Sequence, residues 1–155
     1  MKYLPIAVFC CMFCFVRNLD ANVASNTTYI RTIYKNTHIR KGPGYDYPVF
    51  FKIKNTKNYP LKELITYGDW VKIVDFENST GWVYKNLITH KKNSVIFINP
   101  SYVYAKPKTS AKKIALIGKG NTAMIIKTKD NFIMVFINGI KGWVKKQDCW
   151  GTDTD

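Results

Sequence analysis

The chain has 155 residues, 46% of them hydrophobic and 15% aromatic, which excludes a disordered polymer and allows one ordinary domain or two very small ones. Leu is sparse while Ile, Val, Tyr, Thr and Phe are plentiful, a mixture that suits pleated strands better than helices. The formal charge of +14 is carried almost wholly by Lys, a hydrated point charge that reads phosphates and base edges poorly, so the charge does not indicate nucleic-acid recognition.

Residues 1–24 read as a secretory signal peptide. Met1-Lys2 is a positive start, Leu4 to Val16 is an unbroken apolar run, and small residues follow at Ala21, Ala24 and Ser25. The run is short for a bilayer span; a buried helix or a retained anchor is the alternative. Cys10, Cys11 and Cys14 lie in this segment, so a processed chain keeps only Cys149 and forms no internal disulfide. Cys149 is expected to be a partly buried apolar residue after the last strand. Loss of Lys2, Arg17 and Asp20 leaves 22 basic and 9 acidic residues, a net +13. Arg31 and Arg40 are then the only arginines. Such a surface attracts polyanions over a distance, or it reflects a Lys-, Asn- and Ile-rich composition.

Beyond the leader the chain repeats itself weakly. Ile39-Arg40-Lys41-Gly42-Pro43 aligns with Val103-Tyr104-Ala105-Lys106-Pro107 at an offset of 64. Asp69-Trp70-Val71-Lys72-Ile73 aligns with Asn131-Phe132-Ile133-Met134-Val135 at 62, and Gly81-Trp82-Val83 with Gly142-Trp143-Val144 at 61. In Trp70–Phe76 the period is two, with Val71, Ile73 and Asp75 on one face. Turn signals separate such runs, among them Gly42-Pro43-Gly44, Gly68-Asp69, Asn78 to Gly81, Lys129 to Asn131 and Asn138-Gly139. Asn138-Gly139 between apolar runs predicts a type I′ hairpin. The polar stretch from His90 to Asn93 reads as a linker. The expected organisation is all-β, with units at 28–91 and 94–151.

His38 to Gly44 with Asp46-Tyr47-Pro48-Val49 resembles the opening of bacterial SH3 domains. Gly68 to Ile73 is similar to their central strand, and Thr80 to Ile88 to their closing Gly-Trp-Val hairpin. The second unit keeps Pro107, Asn131-Phe132, Gly142-Trp143-Val144 and Cys149-Trp150-Gly151, but lacks Arg and Gly-Pro at its first loop. Two such units behind a signal peptide resemble small exported proteobacterial proteins. The resemblance implies tandem SH3-like, partly open barrels of five to six strands, and a habit of binding cell-wall components or peptides.

No catalytic constellation is legible. His38 and His90 are isolated, no metal-ligand spacing occurs, no His follows Cys149, and Glu63 and Glu77 fall on separate elements. The expectation is a periplasmic or secreted binding protein, monomeric, without enzymatic activity or cofactor. Peptidoglycan or an envelope protein is the expected partner. A structural subunit, or a Lys surface meeting anionic membrane or polysaccharide, is the alternative. The ligand-binding residues are read as Tyr45 and Tyr47 in the first loop and Trp70 at the start of the central strand, aromatics suited to sugar or peptide. The second unit lacks this pair, so its groove is expected to be degenerate. Trp82 and Trp143 are read as core or barrel-end residues.

Overall fold

The computed structural model describes residues 27–91 and 93–152. The leader reading therefore lies outside the described residues. The first seven strands are β1 (Tyr29–Thr32), β2 (Thr37–Arg40), β3 (Val49–Ile53), β4 (Pro60–Tyr67), β5 (Trp70–Val74), β6 (Thr80–Tyr84) and β7 (Ile88–Thr89). The next seven are β8 (Ser94–Phe97), β9 (Ser101–Tyr104), β10 (Lys113–Ile117), β11 (Thr122–Lys129), β12 (Phe132–Ile137), β13 (Ile140–Lys145) and β14 (Cys149–Trp150). They form two antiparallel sheets, ordered β3-β2-β6-β5-β4-β1-β7 and β10-β9-β13-β12-β11-β8-β14. Adding seven to each strand number of the first order gives the second. Each sheet has seven strands rather than five or six, because the short β1 and β7, like β8 and β14, pair along one edge.

Period-two alternation builds each core. Val71, Ile73 and Val83 point inward with Ile30, Ile39, Ile53, Leu61 and Ile88, so strands from both edges of the sheet meet around one cluster. An open sheet manages this only by curling on itself. Val95, Val103, Ile133, Val135 and Val144 form the matching centre of the second sheet. Asp75 also turns inward. It ends the core row by accepting hydrogen bonds from the backbone N–H of Glu77 (3.0 Å) and Ser79 (2.8 Å), which shapes the β5–β6 turn. The hairpin prediction holds at Asn138 (φ 48°) and Gly139 (φ 80°), which join Ile137 to its cross-strand partner Ile140.

β6 meets β2 at a single antiparallel pair within the sheet. Arg40 faces Trp82 there, and Tyr104 faces Trp143 at the matching point. A Cβ on Gly81 would lie 2.4 Å from Ile39 Cγ2, and one on Gly142 would lie 2.5 Å from Val103 Cγ1. These glycines are required by close approach of strands. Because each occupies an inward position, the following Trp falls on the opposite face of its strand from the central cluster. Trp143 is buried there under Lys127, whose Nζ stands 5.5 Å from the ring centroid, while Trp82 is half-buried.

Arg31, fully buried on β1, ties the two sheets together. Its Nε donates to Ser94 Oγ (2.9 Å), Nη1 to the Ile30 carbonyl (3.1 Å), and Nη2 to the carbonyls of Ser94 (2.8 Å) and Gly151. Ser94 Oγ donates onward to the Asn58 carbonyl. Gly151 (φ +96°) closes on Pro60, where a Cβ would come within 2.7 Å. Tyr29 meets Trp150 edge-on at 4.9 Å.

Cys149 lies on β14 and not beyond the last strand. Its side chain belongs to the second core, and burial first, then Asp148, pushes its thiol up to about 12.

Two outcomes follow from these placements. Arg31→Ala strands several buried carbonyls and opens a void, so it should cost about 2–5 kcal/mol in urea denaturation, and Arg31→Lys, lacking the fork, should recover little of it. An unchanged midpoint for Arg31→Ala would refute the clamp. Cys149 should resist iodoacetamide at pH 8 until the protein unfolds, as read by mass mapping of its peptide. Its ionisation is easier in the unfolded chain (9.0) than in the fold (about 12), so stability should fall as pH rises above 9.

Candidate binding clefts

The loop between β2 and β3 turns back through backbone hydrogen bonds from Lys41 to Pro48 (3.1 Å), Gly44 to Gly42 (3.0 Å) and Tyr47 to Gly44 (3.4 Å). Arg40 fixes its far side, donating from Nη1 to the carbonyls of Tyr45 (3.0 Å) and Tyr47 (2.7 Å). The planar guanidinium suits two carbonyls at once. Tyr47 folds inward over the loop, and a Cβ on Gly42 would stand 2.3 Å from its ring. That contact explains the glycine.

Tyr45 leaves the loop in the other direction and is 64% exposed. Its ring packs edge-on against Trp70 at 5.0 Å and beside Tyr84 at 5.6 Å; Trp70 and Tyr84 are 5.4 Å apart. The Arg40 guanidinium carbon sits 5.4 Å from the Tyr45 centroid. The three rings border a cleft of about 200 Å³, with Asn36, His38 and Leu87 completing its wall. Trp70 is 9% exposed, so its indole forms the floor and Tyr45 the exposed rim. The structure brings two of the three sequence-selected residues, Tyr45 and Trp70, to one cleft. Tyr47 braces the loop and does not line it.

Sequence reasoning missed Tyr84, His38 and Asn36. A signal for Tyr84 existed: it stands two residues beyond Trp82, on the same outer face, and directly opposite Trp70 across β5 and β6. His38 shares a face with Arg40 by the same alternation.

The second sheet repeats this frame. Ala105 donates to Lys112 (2.9 Å), Lys108 to Lys106 (2.8 Å) and Ala111 to Lys108 (3.1 Å), the first loop's three bonds shifted by 64 residues. Lys85 donates to Asp69 and Lys146 to Asn131, each at 2.9 Å. A cleft of about 700 Å³ opens here. Thr109 stands where Tyr45 does, and Lys145 where Tyr84 does, so two rings that fill the first cleft are absent from the second.

Among the described residues no group of three His, Cys, Asp or Glu side chains is placed to hold a metal ion, and no helix is long and apolar enough to cross a membrane. His90 Nε2 lies 3.1 Å from Glu63 Oε2 at the surface, away from either cleft. Tyr59 is held protonated far above its ordinary range by burial, with Asp75 and Glu77 adding to the effect.

No curated protein matches the chain. Among solved structures, NlpC2 from Trichomonas vaginalis aligns at 12% identity and a TM-score of 0.38, over 81% of this chain and 48% of that one. NlpC1 from the same organism aligns at 11% and 0.38, over 81% and 46%. This chain thus spans about half the length of each. Residues 34–89, which hold β2 to β7 and the aromatic cleft, match the family model of the bacterial SH3 domain.

Proposed function

We propose that the protein is an exported, non-catalytic binding module of the cell envelope that recognises peptidoglycan or an envelope protein through the cleft of its first sheet. The observation that carries this reading is the Tyr45–Trp70–Tyr84 cluster, held open beside Arg40 by a braced loop. Rings set edge to face offer apolar area with hydroxyls at the edge, which suits sugar rings and peptide stems. A preformed cleft loses little freedom on binding. The bacterial SH3 match over the same residues supports a wall-associated ligand. The second sheet, which shares the strand order, is read as a second copy of the same domain, and 28–91 and 94–151 as the two domains. The thiol of Cys149, buried and held protonated, is a poor nucleophile, which favours binding over catalysis.

The test of the cleft is sedimentation with purified sacculi. Tyr45 is mostly exposed, so Tyr45→Ala should shift the melting temperature by only a few degrees and weaken binding by about 1–2 kcal/mol. Equal binding by wild type and variant would remove this loop from the site. Loss of binding in salt, with no response to Tyr45→Ala, would favour the lysine surface instead.

Export has its own test. N-terminal sequencing of the protein from the cell envelope should find a chain starting between about Ala21 and Ser25. An intact Met1 on a soluble cytosolic product would overturn export.

A further inference from the structure

The larger cleft, in the second sheet, differs from the first in chemistry as well as size. Where Trp70 faces Tyr84 across the first sheet, Phe132 faces Lys145 across the second. Lys146 follows on the 3₁₀ turn that closes the cleft, its backbone N–H anchored to the Asn131 carbonyl. Two adjacent ammonium-bearing side chains therefore line one wall, with Gln147 beside them, while Phe132 and Trp150 supply apolar surface. The nearest acidic side chain on the same turn, Asp148, is engaged: its Oδ2 accepts the Ser101 hydroxyl at 2.7 Å. Asp130 precedes Asn131 in the β11–β12 turn. Among the described residues neither Lys145 nor Lys146 makes an ion pair, as holds for the other described lysines apart from Lys119, which meets Glu77 at 3.6 Å.

From this arrangement we infer that the second cleft is a binding site of its own, for a short peptide bearing a free carboxylate next to an apolar side chain. The lysines meet the carboxylate, Asn131 and Gln147 offer hydrogen bonds to the peptide backbone, and Phe132 with Trp150 takes the apolar group. A cleft of about 700 Å³ falls within the range that encloses ligands of this size. Charge at this wall selects among peptides, because a neutral terminus leaves the ammonium groups without a partner. The two sheets then read different chemistry with one backbone frame: rings and a guanidinium in the first, rings and paired ammoniums in the second.

The experiment is an amide-shift titration of the ¹⁵N-labelled full chain with N-acetyl-Leu-Ala-Ala as the free acid, with the same peptide as its C-terminal amide, and with inorganic phosphate. The acid should move the amides of Phe132, Lys145, Lys146 and Gln147 saturably. The amide should bind roughly tenfold more weakly, about one decade in Kd. A Lys145→Gln, Lys146→Gln double variant should erase that difference while its melting temperature stays near wild type. Tyr45→Ala should leave these shifts untouched, so failure of this site and failure of the first cleft are seen separately. Equal binding of acid and amide would make the cleft an apolar slot and overturn the inference. So would phosphate binding there as well as the acid, shifts scattered over lysines elsewhere, or no shift at millimolar peptide.

Discussion

The close pairing of β6 with β2 is the constraint on which the first sheet depends, and that of β13 with β9 repeats it. Among the described residues no disulfide holds the curl, and at this pairing the two strands come too near to admit a side chain on β6. Gly81 and Gly142 meet that requirement, the first with Arg40 O 3.0 Å from where a Cβ would stand, the second with Tyr104 O at 2.9 Å. Everything inside follows. Isoleucines from β1, β2, β3 and β7 share one cluster only because the sheet has turned on itself. The cleft follows as well. The first loop leaves β2 at Arg40, the residue paired with Trp82, and its guanidinium holds the loop by two carbonyls.

Much of this was legible in the residues because it is local. Alternation of Val71, Ile73 and Asp75 assigned the inward face of β5, and Asn138-Gly139 assigned the β12–β13 turn. What sequence reasoning misplaced was long-range. A glycine before a tryptophan suggests a turn, yet Gly81 answers to Ile39, 42 residues earlier in the chain, and Trp82 stands only half-buried. The short β7 and β14 carry two residues each, too few to show a period, and Cys149 on β14 reads from sequence as tail. Their pairing with β1 and β8 is set by the core they seal.

The site was half legible for a related reason. Aromatic type and loop position suffice to nominate Tyr45 and Tyr47, but which way each ring turns depends on what lies under the loop. Tyr47 covers Gly42, and Tyr45 reaches Trp70. Tyr84 required knowing that β5 and β6 pair in the register that sets it opposite Trp70. In the second sheet the tyrosine pair is missing, and a cleft opens where its rings would stand.

The two loops show how one backbone path tolerates such different side chains. In the first, Tyr47 needs a position with no Cβ beneath it, and Gly42 provides it. In the second, Ala111 replaces the tyrosine, and the matching position holds Lys106 while the loop keeps its hydrogen bonds. Ring and glycine change together because each is the other's neighbour. The arginine obeys the same logic. Arg40 is needed where a tyrosine-bearing loop must be held by its carbonyls, and Tyr104 takes its place in the second sheet, where it packs edge-on against Phe132 at 6.1 Å. Arg31 and Arg40 thus stand where a fork must reach several carbonyls, and the lysines stand where charge meets solvent or lines the second cleft. The division between arginine and lysine follows from donor geometry: the planar guanidinium holds backbone carbonyls, which a single ammonium on a flexible stem does poorly.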